Sequence, residues 1–399
     1  MEKKDFNNFK KNSALLITSI VLILVLLLTV FAIATSRKPN GDYNTDSTID
    51  NADRNESIDN AVSSDNIDAE SSDIEESKDN SANESSTEES KTDHGWIINK
   101  YGYTYLYKDS GYEQFNYSSK VLERYVNALN TFENYVPEET SIYNIIVPVS
   151  SEFAEIPREV YIEDGFYNKS QSAFVSTVET KLDERIINIP IVNLIKQKYY
   201  DNDYVFFRTD KNWTPQAAYY AYCELCKQLN LTPIPLSSFN KIEAGEFLGR
   251  FYLATDSTLM ENNPDNFVCY GPMPSIKTAL TIYKDETVYK DFELCSNDYD
   301  KYSAYDIFFG IDADRYEVSS TAAGGSILLI GDSSIYPIVP LLTAHYKTID
   351  VVNPQNFTES VADYLKDHKY ECIVTMCYST NATSGDYIPA FNEFLTKEN

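Results

Sequence analysis

The chain has 399 residues with 61 Asp and Glu against 33 Lys and Arg, a formal charge of −28. A stretch between 41 and 93 carries 17 acidic and 3 basic residues, so half of the excess belongs to one segment and not to a folded surface. With no basic face to neutralise phosphates, nucleic acid is excluded as a partner.

The first predicted element is a run without charge from Ala14 to Thr35, preceded by Lys3, Lys4, Lys10 and Lys11. Its length matches a hydrocarbon core of about 30 Å, which predicts a transmembrane anchor over 14–35 with residues 1–13 in the cytoplasm. Ala32-Ile-Ala34 keeps a cleaved export signal open, although the run is longer than a usual signal core. Either way the remainder faces outward, and with the anchor uncleaved it stays at the cell membrane. Residues 36–94 are acidic, Ser- and Asn-rich and poor in large apolar side chains; such a composition predicts a disordered, self-repelling tether.

A single folded domain is expected over 95–399. Trp96 to Tyr107 reads as a strand pair turning near Gly102, Val121 to Tyr135 as a helix with one apolar face, and Ile142 to Val147 as a buried strand. Ala173 to Ile187 reads as helix, and Tyr204 to Phe207 as a strand. A second helix opens at Thr214-Pro215, a capping residue followed by proline, and runs to about Leu229. Residues 240–320 look irregular, with short strands at Gly249–Leu253 and Phe267–Tyr270, and read as an insertion or cap. Ser326–Ile330, Ile349–Val352 and Cys372–Cys377 are strands, with helices expected at Ile335–Tyr346 and Thr358–Leu365. That alternation predicts an α/β fold of three layers with a mainly parallel sheet.

Two blocks carry chemistry. Arg208-Thr-Asp-Lys-Asn-Trp-Thr-Pro215 lies before a helix, and Gly331-Asp-Ser333 lies between a strand and a helix, where free backbone N–H groups can stabilise an oxyanion. Residues 208–222 resemble the DHHW proteins, named for an Asp-His-His-Trp tetrapeptide that stands here as Asp210-Lys211-Asn212-Trp213. Those proteins are similar to SGNH-like alginate O-acetyltransferases, in which Asp-x-His-Trp precedes a catalytic serine. The Gly331-Asp-Ser333 block, with Pro337 to Leu342 and His345-Tyr346, resembles the nucleophile region of the same group.

The resemblance implies Ser333 as nucleophile and Asp210 as the residue that orients the base. The family's histidine falls on Asn212. Phe308 to Asp312 resembles the family's oxyanion block, with Asp312 where an Asn is expected and where a carboxylate would repel a developing anion. Lys211 and Trp213 are expected at the binding cleft, with tyrosines from a chain that holds 32 of them.

A carboxamide cannot accept a proton at neutral pH, and a serine needs a neighbouring base. Of the three histidines, His94 falls in the tether, His345 stands about 18 Å along the expected helix from Ser333, and His368 precedes the last strand. Lys211 is an alternative base, opposed by the adjoining Asp210. Three readings follow: an impaired protein that binds or helps modify cell-surface glycan, an active serine O-acetyltransferase or esterase beside a membrane acyltransferase, or a structural envelope protein. No motif asks for a cofactor or metal. Cys223-Glu-Leu-Cys226 lies within the expected helix, and the pairing of the six cysteines is left open.

Overall fold

The computed structural model describes residues 93–396, apart from 101, 297–302 and 304. The expected anchor and almost all of the expected tether lie outside the described residues. Among the described residues, no helix is long and apolar enough to cross a membrane.

The chain begins with β1 (His94–Asn99) and β2 (Gly102–Tyr107), which pair antiparallel, and β3 (Ser110–Tyr112) joins β2. His94, assigned above to the tether, is the first residue of β1. Its Nδ1 lies 2.8 Å from Asp164 Oδ2, which also accepts from Tyr105 Oη at 2.7 Å, while Trp96 Nε1 donates to the Asp164 carbonyl at 2.8 Å. The hydrogen bond that His94 donates to Asp164 raises the His94 pKa above its ordinary 6.5. Burial works against the Asp164 charge, but the hydrogen bonds from Tyr105 and His94 prevail and lower its pKa below 3.8.

The histidine's contribution is therefore complete below its unfolded value and is lost as pH rises through the folded one. The aspartate's is complete above its unfolded value and is lost as pH falls through the folded one. Hydrogen exchange should find the β1 amides better protected at about pH 5.5 than at about pH 8, after correction for intrinsic rates. Equal protection would mean that the pair does not hold this strand.

Next come α1 (Ser119–Glu133), β4 (Ser141–Val147), α2 (Gln171–Glu179), β5 (Ile186–Asn188), α3 (Val192–Tyr200) and α4 (Pro215–Gln228). Ser118 caps α1 and Thr214 caps α4, each accepting a backbone N–H from three residues ahead, with Pro215 at the first position of α4. The helix expected over 173–187 stops at Glu179, and the chain turns into β5. The strand expected at Tyr204–Phe207 is reduced to one bridge between Phe206 and Trp213.

Residues 240–320 are not a cap. β6 (Asn240–Phe247) and β7 (Asp265–Gly271) form a two-stranded sheet, and the strand expected at Gly249–Leu253 falls largely in a short helix, Arg250–Thr255. β8 (Thr278–Lys284), β9 (Thr287–Phe292) and β10 (Arg315–Ser320) extend the main sheet. They are half-buried strands, with Leu280 and Ile282 of β8 facing in at every second position, so their apolar content is too thin to stand out in sequence.

β11 (Gly324–Gly331), β12 (Tyr346–Val352), α5 (Val361–Asp367), β13 (Cys372–Tyr378) and α6 (Tyr387–Thr396) complete the chain. The eight-stranded sheet has the order β5-β4-β13-β11-β12-β10-β8-β9. Its first five strands run parallel, and beyond β12 each of β10, β8 and β9 pairs antiparallel with the strand before it in the sheet. β13 is buried at every residue, as a central parallel strand covered on both faces must be. On one face Phe132 of α1 meets Phe391 of α6 at 6.0 Å between ring centroids; elsewhere Trp213, just before α4, bonds to the Ser334 carbonyl.

The helix expected from Ile335 to Tyr346 is a six-residue 3-10 turn, Ser333–Ile338, followed by one α turn, Val339–Leu342. Pro337 and Pro340 remove two backbone donors and prevent a continuous helix. All six cysteines are free thiols, five of them buried.

The sheet also carries a buried ion pair. Arg315 of β10 reaches Asp350 of β12 at 3.0 Å, its guanidinium lies 3.6 Å from the centroid of the Tyr283 ring, and Tyr370 Oη donates to the other Asp350 oxygen at 2.6 Å. Burial pushes the Asp350 pKa up, while Tyr370 and Arg315 pull it down. For Arg315, burial opposes the charge but is outweighed by Tyr364, Asp350 and Tyr283.

Candidate active site

Ser333 follows the carboxyl end of β11. In chain order β11 leads to β12 on one side, and the chain then crosses to β13 on the other, so the strand order reverses at β11. Ligand sites of open α/β sheets collect at such a reversal. Gly331 makes the approach possible: a Cβ there would lie 1.7 Å from the Met376 carbonyl oxygen of β13.

Asp332 is tied down at both oxygens. Oδ1 accepts from Ser334 N at 2.9 Å, and Oδ2 accepts from Tyr378 N at 2.9 Å and Asn381 Nδ2 at 2.6 Å. Those bonds lock the turn that presents Ser333 to the neighbouring strand end.

The second block arrives without a strand of its own and is held by Asp265. The buried Asp265 carboxylate accepts from Thr209 N at 2.8 Å and Thr209 Oγ1 at 2.7 Å, and Arg208 pairs with it at 3.3 Å. Arg208 also forms an ion pair with Asp109 beside β3, and its carbonyl accepts from Gly111 N at 2.9 Å. The segment 109–113 is thereby laid along the block.

Asp210, Asn212 and Ser333 come together. Ser333 Oγ donates to Asn212 Oδ1 at 3.2 Å, and the Asn212 backbone N–H donates to Asp210 Oδ1 at 2.8 Å. Asp210 Oδ2 accepts from Arg250 N at 2.7 Å. Burial raises the Asp210 pKa above its ordinary value, against the backbone N–H groups of Arg250 and Asn212 and the charge of Lys211. The side chain at 212 thus stands between an acid and a serine, in the place of a triad's base, but it can only hydrogen-bond.

Trp213 does not line a cleft. Its side chain is fully enclosed, with Nε1 donating to the Ser334 carbonyl at 3.2 Å, and its backbone N–H donates to Tyr378 Oη at 3.1 Å. It packs the Asp210 block against the serine turn, so its assignment to binding is replaced by a structural one. Lys211 is half-buried, and its charge acts on Asp210 and Glu113.

Asp312 is exposed; its carboxylate accepts from Asn356 Nδ2 at 2.9 Å and its carbonyl from Lys284 Nζ at 2.8 Å. Those partners turn it toward the loop after β12, and no hydrogen bond joins it to Ser333. The three histidines are engaged elsewhere: His94 with Asp164, His345 with Tyr222 Oη at 2.7 Å, and His368 with the Tyr364 carbonyl at 2.9 Å. Burial lowers the His345 pKa, in keeping with a neutral ring. Among the described residues, no cluster of three or more His, Cys, Asp or Glu is placed to hold a metal.

Glu113 escaped the sequence reading. It lies just after β3, and burial raises its pKa, with Lys211, Asp210, Asp332 and Arg250 as its charged neighbours. No motif marks it, because only the contacts of Arg208 with Asp109 and Gly111 bring it to the site.

Gly249 is a further missed residue. A Cβ there would sit 2.3 Å from both Cβ and Oδ2 of Asp210. Gly249→Ala should displace Asp210 from the Arg250 amide and lower stability by about 1–3 kcal/mol, read by denaturant unfolding. An unchanged midpoint would show that the helix at 250–255 shifts freely.

A family model described as DHHW protein matches residues 36–352. No curated protein matches the chain in sequence. A DHHW family protein from Eubacterium siraeum superposes with a TM-score of 0.66 at 21% identity, covering 76% of this chain and 98% of its own. PatB1 of Bacillus cereus, solved also with a sulfonyl adduct, gives a TM-score of 0.57 at 15% identity, covering 74% of this chain and 99% of its own. The O-acetyltransferase domain of Pseudomonas putida AlgJ matches at 13% identity over 75% of this chain and 99% of its own; its TM-score of 0.37 carries no argument.

Proposed function

The chain belongs to the DHHW family, and from that premise we propose that it is a membrane-anchored, outward-facing protein that holds cell-surface glycan at a serine site without transferring acyl groups. The observation that carries this reading is the 3.2 Å hydrogen bond from Ser333 Oγ to Asn212 Oδ1. The hydroxyl is positioned but keeps its proton, because its acceptor is an amide oxygen. Lys3, Lys4, Lys10 and Lys11 before the uncharged run support an inside amino terminus, and the acidic stretch after it would set the folded domain away from the membrane.

Treatment of the full chain with an aryl sulfonyl fluoride tests the reading. Mass spectrometry should find no adduct on Ser333; stoichiometric modification of that residue would establish an activated nucleophile and overturn it.

Glu113 favours a second reading, an active O-acetyltransferase or esterase acting beside a membrane acyltransferase that delivers acetyl groups outward. Burial raises the pKa of this carboxyl, which sits among Lys211, Asp210, Asp332 and Arg250, and the reading requires it to come within hydrogen-bonding reach of Ser333 Oγ. Under that reading the sulfonyl fluoride labels Ser333, and Glu113→Gln abolishes the labelling.

A further inference from the structure

A groove of about 280 Å³ opens beyond the carboxyl end of β4, lined by Ser151, Ile156, Tyr161, Phe166, Tyr167 and Asn168. It lies at the same end of the sheet as Ser333. β4 and β11 are separated only by β13, so their ends stand about 10 Å apart at ordinary strand spacing. The loops after β4 and β13 are bound through one buried side chain: Gln171 Oε1 accepts from Val149 N at 2.9 Å and from Ser379 Oγ at 2.7 Å. The Glu113 segment joins the same wall, since Phe115 N donates to Asn168 Oδ1 at 2.7 Å and Gln114 Nε2 to the Tyr167 carbonyl at 2.9 Å.

Two features of the groove ask for a ligand. Ser151 is 7% exposed, yet its buried Oγ has no hydrogen-bond partner among the described residues, a state that folded proteins seldom leave uncompensated. Tyr167 is 53% exposed and stands edge-on to Tyr161, with ring centroids 6.3 Å apart, so large aromatic surface is left at the mouth. Apolar faces beside a few neutral hydrogen-bonding groups suit an uncharged polyhydroxyl ring. The stretch 151–170 carries five acidic and two basic residues, which disfavours an anionic ligand.

We propose that this groove is a sugar-binding subsite that takes one uncharged ring of a glycan whose neighbouring part extends toward Ser333. The proposal rests on the glycan-binding reading above and names where that glycan is gripped. On binding, the Ser151 side chain rotates so that its Oγ, enclosed in the wall of the groove, meets a sugar hydroxyl; Asn168 offers its amide, and Tyr161 and Tyr167 cover the apolar face of the ring.

Calorimetry on the full chain with three hexasaccharides, of glucose, N-acetylglucosamine and galacturonic acid, is the test. At least one neutral hexasaccharide should bind, the galacturonate should not, and Tyr167→Ala and Ser151→Leu should each weaken the neutral sugar about tenfold or more. Tyr167 is an exposed position, so its variant is not expected to disturb folding; circular dichroism checks both. Binding that survives both groove variants but is lost in Ser333→Trp would overturn the subsite and leave the glycan reading standing. Preference for the galacturonate would overturn the assignment of an uncharged ligand. Failure of all three sugars to bind the unmodified chain would bring down the glycan reading and the subsite together.

Discussion

Asn212→His is expected to give the chain serine-dependent hydrolysis of an aryl acetate, about 10²- to 10⁴-fold above the unmodified protein, the range a positioned general base supplies. The geometry argues for it directly. Asn212 Oδ1 already sits 3.2 Å from Ser333 Oγ, and the adjoining Asp210 carboxylate is buried and held by two backbone N–H groups. An imidazole at 212 would add a group whose ordinary pKa near 6.5 lets it take the proton at neutral pH. The gain should vanish in the double variant with Ser333→Ala and fall away in acid as the new histidine charges. Unmodified protein should turn over the ester no faster than its own Ser333→Ala variant. Serine-dependent turnover in the unmodified chain would instead point to Glu113.

Asp350→Ala should destabilise the protein by about 2–4 kcal/mol, because it leaves the Arg315 guanidinium with only the less buried Glu317, at 3.3 Å, as counter-charge. Tyr370 Oη would keep only Tyr364 Oη, at 3.0 Å, as a partner. The cost belongs to the broken pair and not to burial as such, so exchanging both partners, Arg315→Met with Asp350→Leu, should recover most of it. Unfolding in urea measures both. A loss below about 1 kcal/mol for Asp350→Ala would mean that water reaches Arg315 between β10 and β12.

The sequence was most readable where burial is continuous. Ser326–Ile330, Ile142–Val147 and Cys372–Cys377 announce central strands because both of their faces are covered, and β11, β4 and β13 occupy those places. Asp210, Asn212 and Ser333 could be named because a family pattern spans them. What stayed hidden depends on contacts between distant segments. β8 and β10 are only partly buried and β9 has no buried residue, and Glu113, Gly249, Arg250 and Asp265 reach Asp210 or its block through approaches that no local pattern encodes. Trp213 was misassigned for a related reason, since an aromatic side chain beside a reactive block reads the same whether it lines a cleft or seals the wall behind it. Ile335–Tyr346 was expected as one helix, but Pro337 and Pro340 break it into a 3-10 turn and a single α turn.

The two N–H groups that close around Asp210 come from the main chain at 212 and 250, so the aspartate is needed to seat that loop whatever stands at 212. Selection for a folded domain would therefore preserve the acid, and the turn bearing the serine, long after selection for turnover had lapsed. Asparagine and histidine codons differ at a single base. On the proposed reading without acyl transfer, a single nucleotide substitution would place a histidine between Asp210 and Ser333, on a scaffold that the demands of folding already maintain.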